Sequence, residues 1–109
     1  MQEVYIYPHP FLNSKYERVW NNIINKNNDK LIDFVIMTNT IKKIIPQEVF
    51  HRCNLLYEKY KDKKIKFVAM GYSPLVSIVT YWAFVNGLEV VYFTENQSQT
   101  DFEEKVIKI

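Results

Sequence analysis

His9, one of two histidines in the chain, stands between Pro8 and Pro10, and imidazole is the side chain suited to proton transfer near neutral pH. Further along, Met70-Gly71-Tyr72-Ser73-Pro74-Leu75 reads as a strand end, a tight turn and a helix start. Gly71 can let a ligand approach the backbone there, while the amides and dipole of the helix start attract a phosphate. Ser77 follows Ser73 by four residues, which places two hydroxyls on one side of the helix. Tyr72 offers a ring for stacking a nucleobase, a contact worth about 1–3 kcal/mol per base. Thr38-Asn39-Thr40-Ile41-Lys42-Lys43 adds two ammonium groups able to neutralise phosphate charge. Each feature has a plainer use that the residues alone leave open. Gly71 can simply turn the chain, Ser73 can cap a helix that starts at Pro74, the lysines can be a solvated pair, and His9 can be a loop histidine without a task.

Those residues need elements to hold them. Val4 to Tyr7 is a β-prone run stopped by Pro8-His9-Pro10. Tyr16, Val19, Trp20, Ile23 and Ile24 recur with helical spacing, and Ser14 with Glu17 forms a capping box, so a helix is expected from about Ser14 to Asn25. Ile32 to Met37, apolar apart from Asp33, reads as a strand buried on both faces. A second helix starts at Pro46, with Val49, Cys53, Leu56 and Tyr60 as its inner stripe and His51, Arg52, Glu58 and Lys59 outside. Lys59 to Lys66 reads as a solvated charge run. Ile65 to Met70 is the third strand, the third helix runs to Asn86 with Gly87 as its left-handed cap, and Glu89 to Thr94 is the fourth strand. The tail from Asp101 is divided between a short helix and an edge strand, and Val106 to Ile109 favours the strand.

Strands alternating with three helices across short turns imply an α/β fold, a single three-layer Rossmann-like domain spanning residues 1–109 with a mainly parallel sheet and flavodoxin-like order 2-1-3-4. In that order the crevice opens above the carboxyl ends of the first and third strands. Pro8 to Ser14, with Asn13 and Ser14 at its far end, then faces Gly71 to Ser77, and Thr38 to Lys43 borders them.

Several chemistries are excluded by missing residues. The place at the end of the first strand is Tyr7-Pro8-His9, without the acidic residues of a magnesium-dependent receiver or the cysteine of a thiol phosphatase. Cys53, the one cysteine, falls inside the second helix and reads as core. Two glycines are too few for a dinucleotide fingerprint or a P-loop, so no cofactor is expected, and the histidine and cysteine count gives no metal site. A net charge of +2 falls short of a duplex-binding domain and suits a small anionic ligand. No apolar run reaches the ~20 residues of a membrane span, and a soluble cytoplasmic protein is expected.

Lys66-Phe67-Val68-Ala69-Met70-Gly71-Tyr72-Ser73-Pro74, the apolar helix after it and Gly87-Leu88-Glu89-Val90-Val91-Tyr92-Phe93 resemble the closing half of small stand-alone CRISPR-associated Rossmann-fold (CARF-like) proteins. Tyr7-Pro8-His9-Pro10 with its capped helix is similar to the first loop of some of them. The resemblance implies binding of a cyclic oligoadenylate across a homodimer, in antiviral signalling or its suppression. As in a ring nuclease, it also implies metal-independent cleavage by attack of a ribose 2′-hydroxyl on the neighbouring phosphate. Ser73 and Lys42 or Lys43 would then stabilise charge on the phosphate and His9 would move the proton. Asn13, Ser14, Thr38, Asn39, Thr40, Gly71, Tyr72 and Ser77 would line the ligand. A non-catalytic module that binds a nucleotide signal or a protein is the other reading, and the scarcity of acid-base groups favours it. The third helix supports a two-fold dimer: Ser77, Thr80, Tyr81 and Phe84 form a second, uncharged stripe, the composition of an interface centre. Coverage of that stripe by the segment after Thr100 is the alternative.

Overall fold

A computed structural model describes residues 2–10, 17–21, 30–37, 43–95 and 102–107. Strands β1 (Glu3–Tyr7), β2 (Leu31–Phe34), β3 (Lys64–Val68), β4 (Glu89–Glu95) and β5 (Phe102–Val106) form one sheet in the order β2-β1-β3-β4-β5. The first three pairings are parallel, while β5 pairs antiparallel with β4. Residues 17–21 are helical (α1), and α2 (Pro46–Lys59) and α3 (Ser73–Val85) complete the α/β fold.

The sheet separates two apolar clusters because strand side chains alternate in direction. Val4 and Ile6 of β1 join Val49, Cys53 and Leu56 of α2 and Leu75, Val79 and Trp82 of α3 on one face. Tyr5 and Tyr7 point the other way, to Val19 and Trp20 of α1. The inner stripe of α2 is buried as its spacing requires, and burial pushes the Cys53 thiol up to about 12, so it stays protonated and packs as a small hydrophobe. Pro46 opens α2, Glu48 sits in its first turn and Lys59 in its last, each favoured by the helix dipole. Gly87 ends α3 at a φ of 69°, the left-handed conformation expected of it.

Two expectations are corrected at the edges. The second strand is shorter than 32–37 and is not buried on both faces: β2 is an edge strand whose four residues are all half-buried. Its edge position explains Asp33, which would be costly in a central strand. Asp33 Oδ1 accepts the Phe34 N–H at 2.7 Å, and Oδ2 accepts the Tyr60 hydroxyl at 2.6 Å and Lys59 Nζ at 3.3 Å. The tail is a strand, as Val106 to Ile109 suggested, but displaced to Phe102–Val106. Residues 102–107 therefore lie beside β4 rather than across the uncharged stripe of α3.

The Asp33 contacts carry a pH dependence. Burial alone would raise this carboxyl, but the hydrogen bonds from Tyr60, the Phe34 amide and Lys59 outweigh it and hold the group below its usual range. A depressed carboxylate contributes stability above its unfolded value, and that contribution is lost as pH falls through the folded one. Asp33→Asn is therefore expected to be less stable than the natural chain at pH 7, with the difference shrinking as pH falls below about 4. Urea unfolding at pH 7 and pH 3 reads this directly; an unchanged difference would mean that the ionised carboxylate contributes nothing.

Candidate functional site

The crevice position above β1 and β3 is occupied by a brace between their two loops. β1 ends at Tyr7, and Pro8 directs the chain so that the His9 ring enters the interior, leaving that residue 2% exposed. Its Nδ1–H donates to the Pro10 carbonyl at 2.8 Å, which leaves Nε2 as the acceptor for the Tyr72 backbone N–H at 2.7 Å. Tyr72 is the residue that caps α3, in extended conformation with φ −65° and ψ 118°. Nε2 of His9 thus acts on the capping residue's own N–H as the glutamate of a capping box does, but from a loop 63 residues away in sequence.

Gly71 is what allows this approach. Its φ is +139°, and a Cβ built on it would fall 2.5 Å from His9 Nε2. The glycine that reads as room for a ligand is, in the folded chain, room for a histidine ring. The proton-transfer candidate has both ring nitrogens engaged within the protein.

Ser73 does not cap the helix as its position suggested. α3 begins at Ser73 itself, the side chain of its capping residue Tyr72 makes no capping hydrogen bond, and Pro74 has no N–H to offer. The first helical bond runs from the Val76 N–H to the Tyr72 carbonyl at 2.9 Å. Ser73 is exposed at the helix start, where phosphate-binding amides are found in this architecture. The Ser77 hydroxyl is exposed but donates to the Ser73 carbonyl at 3.0 Å, so its proton is committed to the helix backbone. Tyr72 is 44% exposed beside them, with its ring available for contact. Lys43 is exposed, while Asn13, Ser14, Thr38, Asn39, Thr40 and Lys42 lie outside the described residues. The structure thus joins His9, Gly71, Tyr72 and Ser73 into one unit.

Hollows occur elsewhere. One of about 560 Å³ is lined by Gln47, Glu48, His51, Arg52 and Leu55, all on the outer side of α2. A smaller one of about 230 Å³ continues from Arg52 and Leu55 to Asp33 and Met37 beside β2. The first is an open surface on one helix and the second an open surface between α2 and β2, and no residue of the His9–Tyr72 brace lines either. Among the described residues, no group of three or more His, Cys, Asp or Glu could hold a metal ion, and no helix is long and apolar enough to cross a membrane.

One polar constellation was missed from the sequence. Lys66, expected in a solvated charge run, is 6% exposed. Its ammonium is paired with Glu3, lies 2.6 Å from Glu104 Oε2 and sits 5.3 Å from the Tyr5 ring centre. Tyr5 donates its hydroxyl to Glu104, and Lys30 pairs with Glu3, closing an alternating chain from β2 to β5. Burial first, then the Glu104 carboxylate, push the Tyr5 phenol upward, so it remains a donor. The available signal was Lys66 between Ile65 and Phe67: alternation along the strand turns it away from those apolar neighbours, onto the face it shares with Val68.

The sequence matches no protein-family model and no curated protein.

Proposed function

We propose that this chain is a binding module for a small anionic nucleotide, of the cyclic oligoadenylate class to which its sequence resemblance points, seated where β1 and β3 end. The observation that carries this reading is the His9 brace. It ties the two loops at the reversal of the sheet order into one rigid rim, with an uncapped helix start and the exposed Tyr72 ring on it. Phosphate would meet the first amides of α3 and the Ser73 hydroxyl, a base would stack on Tyr72, and Lys42 or Lys43 would screen charge. Preorganisation matters because each helix-terminus contact is worth only about 0.3–1 kcal/mol.

Binding is favoured over cleavage by the same geometry. Attack by a ribose 2′-hydroxyl needs a group to take its proton, and His9 in this arrangement uses both nitrogens to hold the rim. The ligand would be shared by two copies of the chain related by a two-fold axis through α3, a helix without a charged residue. Tyr81 is 62% exposed there and Val85 66%, while Phe84 is half-buried against the core, so Tyr81 is the better probe of the contact.

Titration with cyclic tetra-adenylate, followed by calorimetry and by chromatography of the mixture, tests the reading. Binding without product is expected, and Ser73→Glu should abolish it in a folded protein. Tyr81→Lys should give a monomer in sedimentation with weakened binding. No heat of binding from the natural chain would overturn the ligand class, unchanged affinity in Ser73→Glu would overturn the placement, and a monomeric natural chain at micromolar concentration would remove the dimer.

A further inference from the structure

β5 differs from the other strands in what holds it. Among the described residues it pairs with β4 alone, and Glu103, Lys105 and Val106 are exposed while Phe102 and Glu104 are half-buried. Three side chains among the described residues tie this segment to the rest of the molecule. Phe102 packs on the Tyr5–Trp20 cluster beneath the Arg18 guanidinium, 5.2 Å from its ring centre. Ile107, just beyond the strand, packs on the opposite cluster and donates its N–H to the Val90 carbonyl at 2.9 Å. Glu104 reaches across β4 to Lys66 of β3 at 2.6 Å and accepts the Tyr5 hydroxyl of β1.

The partners of Glu104 remain provided for without it. Lys66 keeps Glu3, and Glu3 also holds Lys30, so removing β5 leaves no buried charge unpaired. The Tyr5 hydroxyl and the Lys66 ammonium would meet water instead. By contrast β1, β3 and β4 lie inside the parallel sheet, with Val4, Ile6, Phe67, Val90 and Val91 all buried; none can leave without opening a core.

We infer that β5 is a strap that docks and undocks as a unit from the four parallel strands, and that Glu104 fastens it. Undocking uncovers the outer edge of β4 and the half of the sheet face where Lys66 lies, the change by which this fold can expose an edge without unfolding.

Amide hydrogen exchange of the full chain at increasing denaturant, followed by NMR, tests this. The amides of Glu103, Lys105 and Ile107, which face β4 in this register, should share one opening free energy with one denaturant slope, smaller than that of global unfolding, and exchange roughly a hundredfold or more faster than buried amides of β1 and β3. Glu104→Gln should speed their exchange about tenfold, the factor of one charge-assisted hydrogen bond, with β1 and β3 unaffected. Glu103→Gln, on the solvent side, should leave them unchanged. Exchange of β5 with the same free energy and denaturant slope as β3 would overturn the strap. So would a gradient of protection from Glu103 through Lys105 to Ile107, which is fraying. Equal effects of the two substitutions would remove Glu104 as its fastening.

Discussion

Gly71→Ala is expected to destabilise the protein by about 1–3 kcal/mol through backbone strain, and further through collision with His9. The two costs are separable. At φ +139° an alanine is strained whatever surrounds it, and its Cβ would lie 2.5 Å from Nε2 of the buried His9 ring. A double-mutant cycle with His9→Ala isolates the collision, because the second alanine should cost only the backbone strain once the ring is gone. Gly87→Ala supplies an internal reference, since Gly87 has φ +69° and nothing within 4 Å of a Cβ. Urea unfolding should therefore rank Gly71→Ala as clearly worse than Gly87→Ala. Equal losses, or additivity in the cycle, would show that the ring adapts and that the two loops are not braced.

Lys66→Ala should cost about 3–5 kcal/mol, the scale on which removing one partner of a buried ion pair acts. Glu3 and Glu104 would then face one another without the ammonium between them, and the alkyl stem that lies against Tyr5 would be lost as well. Replacement of both sides of the β5 contact, Lys66→Met with Glu104→Gln, should recover much of that loss, because an apolar chain of similar length fills the space and fewer charges remain buried. Thermal and urea unfolding of the three proteins decide the matter. A loss below about 1 kcal/mol for Lys66→Ala would place the network in the class of solvent-screened surface pairs.

These two lysine and glycine sites mark where sequence reasoning stops. The spacing of Val49, Cys53, Leu56 and Tyr60 is enough to orient α2, because a helix with one apolar stripe has one way to bury it. Pro46 and Gly87 mark a helix start and a helix end by their own backbone restrictions, and both stand where those restrictions place them. Alternation of strands and helices was sufficient for the parallel order β2-β1-β3-β4, since right-handed crossovers leave few other arrangements for so short a chain. All of these are local or nearest-neighbour constraints, and a linear reading contains them.

Contacts between residues far apart in the chain are not of that kind. Whether Lys66 is solvated or buried depends on Glu3 and Glu104 arriving from β1 and β5. Whether the Tyr72 N–H at the start of α3 is bonded depends on His9 reaching it from another loop. Asp33 is tolerated in an apolar run because β2 lies at the edge of the sheet, beside the Tyr60 hydroxyl at the end of α2. By itself the sequence determined the main elements and the order β2-β1-β3-β4, because local backbone preference and hydrophobic periodicity act over a few residues. Only the tertiary structure decided that His9 and Gly71 form a brace and that Lys66 is interior, because a polar group's role is set by which partners the fold brings within hydrogen-bond reach.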